Sequence, residues 1–270
     1  MDKPEQGAGL VERGVTVDGG VVTRPAGRWT ASVHHLLRSL RADGLDLVPE
    51  PVEVSGEHER LRAIAGRDQG WPFLADIQSA KGAFECGVLV RRLTAALGRY
   101  ECPPGAVWQS AEGRPGVGMR VQHGDLGPWN LLWSPNGPQV CGVIDWDMAE
   151  PGYPTYDIGF LAWFVIPVMD DERARARGFS APPRRGERLR EFARGVGWAP
   201  GDVLAEVDRA QREFVRRVIN RAGDVGSVWH RLYAMGFAES ATVDNARLAG
   251  AAVKLGGHDV DELLRAFEGM

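Results

Sequence analysis

The stretch that most constrains this chain runs Val121-Gln-His-Gly-Asp-Leu-Gly-Pro-Trp-Asn-Leu-Leu-Trp133 and continues as Val140-Cys-Gly-Val-Ile-Asp-Trp-Asp147. Two apolar runs, Leu131 to Trp133 and Val140 to Ile144, flank Ser134-Pro-Asn-Gly-Pro138, and Asn136-Gly137 is a hairpin signal because both residues tolerate positive φ. Folding about that pair sets residue i opposite roughly residue 273 − i. Asn130 then faces Val143, and Asp145 falls about one pair further along the same open end. Directly opposed Cβ atoms in such a ladder are ~5 Å apart and diagonal ones ~7–8 Å. An amide oxygen and a carboxylate therefore converge on one spot, with Asp125 on the loop leading into it. Two oxygen ligands so placed suit a hard cation such as Mg²⁺, which keeps its remaining positions for water and phosphate.

The spacing His123-Gly-Asp125, four residues, Asn130, followed by Ile144-Asp145-Trp146, resembles the catalytic core of the aminoglycoside phosphotransferase and choline kinase-like family. That family is a distant relative of protein kinases, whose catalytic loop carries the same Asp-to-Asn spacing and a later metal-binding Asp. The resemblance implies an α+β, protein kinase-like two-lobe fold with a short β-rich N-lobe and a mostly helical C-lobe. It also implies Mg²⁺·ATP-dependent phosphoryl transfer to a hydroxyl group. Asp125 would orient the acceptor hydroxyl or accept its proton, and Asn130 and Asp145 would hold the Mg²⁺ that bridges the ATP phosphates. His123 would maintain the loop conformation, and Asp157, in Tyr156-Asp-Ile, would buttress the loop by hydrogen bonds.

A chain of 270 residues has ample core for one large or two modest domains. A net charge of −4 gives no bulk electrostatic reason to bind nucleic acid. No apolar run approaches the length of a membrane span, and Met1-Asp-Lys-Pro-Glu-Gln has no signal-peptide core. Cys86, Cys102 and Cys141 are widely spaced without a Cys-x-x-Cys pair, which fits a reducing compartment and a cytoplasmic protein. Only three of the 32 basic residues are lysine, at positions 3, 81 and 254, a skew simplest to read as GC-rich codon bias. The position of any single arginine in this sequence therefore carries little information about function.

Read in order, residues 1–14 form a polar lead-in. Residues 15–24 form a hairpin around Asp18-Gly19-Gly20, and Thr30 caps a helix to about Ala42. Residues 52–54 and 61–64 form two more strands around Ser55-Gly56. Residues 66–72 read as a flexible hinge, which gives a reduced N-lobe over 1–67 and a C-lobe over 68–270. A helical pattern then covers 74–100. After the central motif, further helices are expected from Tyr156 and over 185–195, 203–221, 228–249 and 260–267.

The N-lobe departs from the kinase pattern. A kinase Lys pairs the α/β-phosphates and is held by a helix Glu, but no Lys lies between positions 4 and 80 and the helix over 30–42 holds no carboxylate. A Gly-x-Gly-x-x-Gly loop is also lacking. Arg24, at the end of the second strand, is the stand-in for binding the nucleotide phosphates, since a guanidinium fork can grip phosphate bidentately. Asp147 either shares a face with Asp145 and touches a second ion or is a solvated turn residue. Trp129 and Trp146 read as packing walls of the site.

From Asp170 to Arg221 the chain carries 13 Arg against nine acidic residues. The blander reading of its densest part, 173–194, is a solvated face. The excess nevertheless disfavours a polycationic aminoglycoside as acceptor. A small-molecule hydroxyl acceptor is expected, with neither nucleic acid nor membrane as partner. Two alternatives stay open: a Ser/Thr kinase acting on a peptide in natural-product maturation, and a pseudokinase serving as a binding or scaffold partner for a protein.

Overall fold

The computed structural model describes residues 14–180 and 183–254; most of the lead-in, and the helix expected over 260–267, lie outside the described residues. Two hairpins, β1 (Thr16–Asp18) with β2 (Val21–Pro25) and β3 (Glu50–Ser55) with β4 (His58–Arg62), join into an antiparallel sheet of order β1-β2-β4-β3. Between them runs α1 (Thr30–Ala42), whose apolar stripe Val33, Leu36, Leu37 and Leu40 is buried. Thr30 is the first helical residue rather than the cap. Its Oγ1 accepts from the Gly27 N–H at 2.9 Å, which ties the preceding turn to the helix. The strand expected over 61–64 is centred nearer the hairpin turn, because its inward row is Glu59 and Leu61. A carboxylate in that row hides the apolar alternation.

The remainder is mostly helical: α2 (Ala75–Gln78), α3 (Ala80–Arg99), α4 (Tyr156–Val165), α5 (Asp171–Ala176), α6 (Arg185–Val196), α7 (Pro200–Arg221), α8 (Val228–Ala234) and α9 (Phe237–Lys254). All ten residues of α4 are buried, as a helix apolar on every side must be. α3 and α6 cross with backbones nearly touching: a Cβ on Gly87 would lie 2.3 Å from the Phe192 carbonyl oxygen, and one on Gly195 2.3 Å from that of Phe84.

Two helices expected as continuous are broken. Ser79 is extended, and its Oγ accepts from the Gly82 N–H at 2.9 Å while donating to the Asp76 carbonyl at 2.7 Å, so it ends α2 and starts α3. The pattern over 228–249 turns at Met235-Gly236, between α8 and α9. The segment read as a flexible hinge is fastened at Arg67. This residue exchanges backbone hydrogen bonds with Trp133 at 2.7 and 3.0 Å, and its guanidinium donates to the Ser134 carbonyl.

The basic run is not a solvated face throughout. Arg185 and Arg188 are buried, at 0% and 2% exposure. Arg188 donates to the carbonyls of Val165 (2.6 Å), Ile77 (2.5 Å), Gln78 (2.6 Å) and Ser79 (3.2 Å), closing the end of α2 against α4 and α6. A guanidinium has five donors, so it can serve several helix-end carbonyls that would otherwise be orphaned.

Candidate active site

Two short ladders carry the site. β5 (Arg120–Gln122) pairs with β8 (Glu150–Gly152), and β6 (Leu131–Trp133) with β7 (Val140–Val143). The second ladder pairs Leu131 with Val143 and Leu132 with Gly142 but Trp133 with Val140, so Cys141 is an extra, bulged residue. The simple 273 − i register therefore slips by one at the open end: Asn130 faces Ile144, whose N–H donates to the Asn130 carbonyl at 3.0 Å, not Val143. A bulge of this kind re-aims the residues beyond it, and here it brings Asp145 one residue closer to the loop.

The loop is held from beneath by α4. One Asp157 carboxylate oxygen accepts from the His123 N–H at 2.7 Å and the other from the Gly124 N–H at 3.0 Å, in a buried setting. His123 uses both ring nitrogens. Nδ1 accepts from the Asp125 N–H at 3.3 Å, so Nε2 carries the proton and donates to the Ile144 carbonyl at 3.0 Å. Burial pushes the His123 pKa down, favouring the neutral ring that this bonding requires. Gly124 has φ +84°, and a Cβ there would sit 2.2 Å from the Met148 carbonyl oxygen, which leaves room for no other residue.

Asp125 emerges from this cradle with one carboxylate oxygen accepting from Trp129 Nε1 at 3.1 Å and Asn130 Nδ2 at 3.0 Å. Trp129 is thus a hydrogen-bond donor to the site as well as a wall. Burial pushes the Asp125 carboxyl up to about 7, partly offset by those two donors. Asn130 Nδ2 also donates to the Asp125 carbonyl at 2.8 Å, while its Oδ1 accepts no hydrogen bond among the described residues. Asp145 is held in the left-handed conformation, φ 60° and ψ 68°, with its side chain 52% exposed. A non-glycine residue there carries strain of order 1–3 kcal/mol, and such strain concentrates at functional positions.

Arg24 spans the space between the sheet and this loop. Its Nε donates to Glu59 at 2.7 Å, its Nη2 to Asp147 at 2.5 Å, and its Nη1 lies 3.5 Å from Asp145. The pairing of β2 with β4 puts Arg24 directly opposite Glu59, whose second oxygen lies 2.6 Å from His34 Nε2 on α1. The helix thus contributes a histidine that holds the glutamate, where a kinase helix would supply the glutamate itself. Sequence reading missed Glu59 and His34. The inward Glu in an alternating strand opposite Arg24 was the available signal. Asp147 takes the salt bridge to Arg24 rather than standing in solvent, and burial pushes its carboxyl up to about 6 against the pull of Arg24.

A family model described as a phosphotransferase enzyme family matches residues 17–192. The chain belongs to that family. A curated relative, the trifolitoxin immunity protein of Rhizobium leguminosarum bv. trifolii, is 32% identical over 186 residues, spanning 68% of this chain and 70% of that one. Among solved structures, a choline/ethanolamine kinase family protein from Mesorhizobium loti aligns with a TM-score of 0.55 at 17% identity, covering 99% of this chain and 93% of that one. The amicoumacin kinase hAmiN, in complex with AMP-PNP, Ca²⁺ and Ami, aligns with a TM-score of 0.56 at 13% identity, covering 91% and 89%. The fold of this phosphotransferase is therefore kinase-like, a β-rich N-terminal part and a mostly helical remainder. Among the described residues, no helix is long and apolar enough to cross a membrane.

Proposed function

We propose that this phosphotransferase moves the γ-phosphoryl group of Mg²⁺·ATP to a hydroxyl group of a small molecule. The observation that carries the reading is the convergence of Asp125, Asn130 and Asp145 at the open end of one hairpin, with Arg24 reaching it from the sheet. The donor set fits Mg²⁺: Asn130 Oδ1 accepts no hydrogen bond among the described residues, and the Asp145 carboxylate is half exposed. Mg²⁺ is commonly held by one or two protein oxygens and completed by water and phosphate. When bound, the ion would supply neutralisation of charge on the phosphate oxygens.

The chain's own residues do the rest by positioning. Asp125, fixed by Trp129 and Asn130, orients the acceptor hydroxyl and takes its proton. As the acceptor oxygen bonds to the γ-phosphorus, the bond from that phosphorus to the bridging oxygen breaks and ADP leaves. Arg24, aimed by Glu59, is the phosphate clamp. Conversion of Glu59 to Gln is expected to weaken ATP binding about tenfold, by loosening a charge-assisted hydrogen bond that aims the guanidinium. A calorimetric titration of ATP checks this, and unchanged affinity would remove Glu59 from the clamp. The function itself is tested by acceptor-dependent ADP release across a panel of hydroxyl compounds, which should require Mg²⁺. Release that ignores every acceptor and persists in EDTA contradicts it.

A second reading concerns purpose. The relative at 32% identity is named an immunity protein, which favours a toxin as the hydroxyl acceptor, inactivated by the added phosphate.

A further inference from the structure

A small cavity of ≈ 80 Å³ is lined in part by Gly124 and Asp125. Its walls are largely apolar, with Trp129, Phe160, Phe164 and Phe214 prominent among them. Its ionisable lining consists of Asp125, Arg173 and Arg177.

The two arginines are not equivalent. Arg173 is neutralised by Asp244, with nitrogen–oxygen distances of 2.6 and 3.3 Å, and Asp244 is buried and further held by Trp163 Nε1 at 3.0 Å. Arg177 forms no salt bridge among the described residues, although Asp244 and Asp170 lie near enough to favour its charge. Its Nη1 donates to the Arg173 carbonyl at 3.3 Å, and its guanidinium lies over the Trp71 ring, 5.5 Å from the centroid. It is therefore a positioned cation with donors to spare. Burial and the neighbouring Arg173 push its pKa down to about 10, which leaves it charged at neutral pH.

Resting on the phosphotransferase reading of Asp125, we infer that the acceptor is a largely apolar hydroxyl compound that also bears a carboxylate or similar anion, held by Arg177. A partly desolvated guanidinium with no carboxylate in direct contact gains from an anionic partner, and the pair is charge-assisted. A polycationic acceptor would instead bring an ammonium group against the Arg177 guanidinium. The aromatic walls take the apolar body, and the compact cavity favours a hydroxyl on a small or planar end group.

The test uses one hydroxymethyl-phenyl frame with three endings: 4-(hydroxymethyl)phenylacetic acid, its primary amide, and 4-(2-aminoethyl)benzyl alcohol. Binding to the full chain is measured by ligand-observed NMR, without nucleotide. The carboxylate should bind at least about tenfold more tightly than the amide, as a charge-assisted hydrogen bond implies, and the amine should bind weakest. Arg177→Gln should bring the carboxylate down to the level of the amide, and Arg177→Lys should keep most of the preference. Preference for the amide or amine, a carboxylate preference that survives Arg177→Gln, or no binding by any of the three would overturn the inference. Addition of Mg²⁺·ATP then separates the two claims. Carboxylate binding with the expected preference but no phosphorylated product defeats the phosphotransferase reading alone. Phosphorylation of the amine ahead of the carboxylate defeats the acceptor assignment alone.

Discussion

Asp125→Asn is expected to lower phosphoryl transfer by about 10²- to 10⁴-fold, the usual contribution of a positioned general base, while leaving ATP binding largely intact. The amide can still accept through one oxygen from Trp129 and Asn130, which both donate to a single oxygen of Asp125. It cannot take a proton from the acceptor. The substitution should not lower the melting temperature at pH 8. Burial already pushes this carboxyl up to about 7, so the ionised form is the one the fold disfavours, and an uncharged isostere removes that cost. Single-turnover transfer of labelled γ-phosphate, run beside a nucleotide titration, reads both halves. Transfer within a fewfold of wild type, or nucleotide binding lost together with transfer, would take the role away from Asp125.

Arg188→Met is expected to destabilise the protein by about 3–5 kcal/mol. Its guanidinium satisfies the carbonyls of Ile77, Gln78, Ser79 and Val165, which the substitution would leave buried and without their donor. Relief of the cation's own desolvation, which pushes its pKa down to about 10, offsets part of this. Against a typical total of 5–15 kcal/mol, a loss of this size should lower the melting temperature by about 10 °C. Arg190→Met, two residues away and exposed, should change stability by no more than about 0.5 kcal/mol. Similar melting temperatures for the two variants would show that the buried network is not what joins α6 to α2 and α4.

These arginines show where sequence reading reaches its limit. With 29 arginines in the chain, composition hides which are solvated and which are core, so 173–194 reads as one basic face. Burial is decided by which carbonyl ends lie across the gap. The converse holds for the loop that carries Asp125. Asp125, Asn130 and Asp145 sit within one hairpin and its lead-in, so their convergence depends on local chain geometry and is legible from spacing. Even there the register slipped by one, because a bulge at Cys141 leaves no mark in the pattern of apolar residues. Arg24 was legible only as a position at the end of a strand. Its partner Glu59 comes from β4, brought opposite by the β2–β4 pairing, and His34, which holds Glu59, comes from α1. The break at Ser79 was missed because apolar periodicity continues through it, and only the side-chain cap marks the interruption.

The most direct test of the nucleotide site is a calorimetric titration of ATP with and without Mg²⁺, on the wild type and on Asp145→Asn. The account predicts Mg²⁺-dependent binding that the substitution removes or reduces at least about tenfold, since Asp145 offers the carboxylate expected to hold the ion. ATP binding equally well without Mg²⁺, or indifferent to Asp145→Asn, would contradict the assignment of the hairpin's open end as the metal–phosphate site.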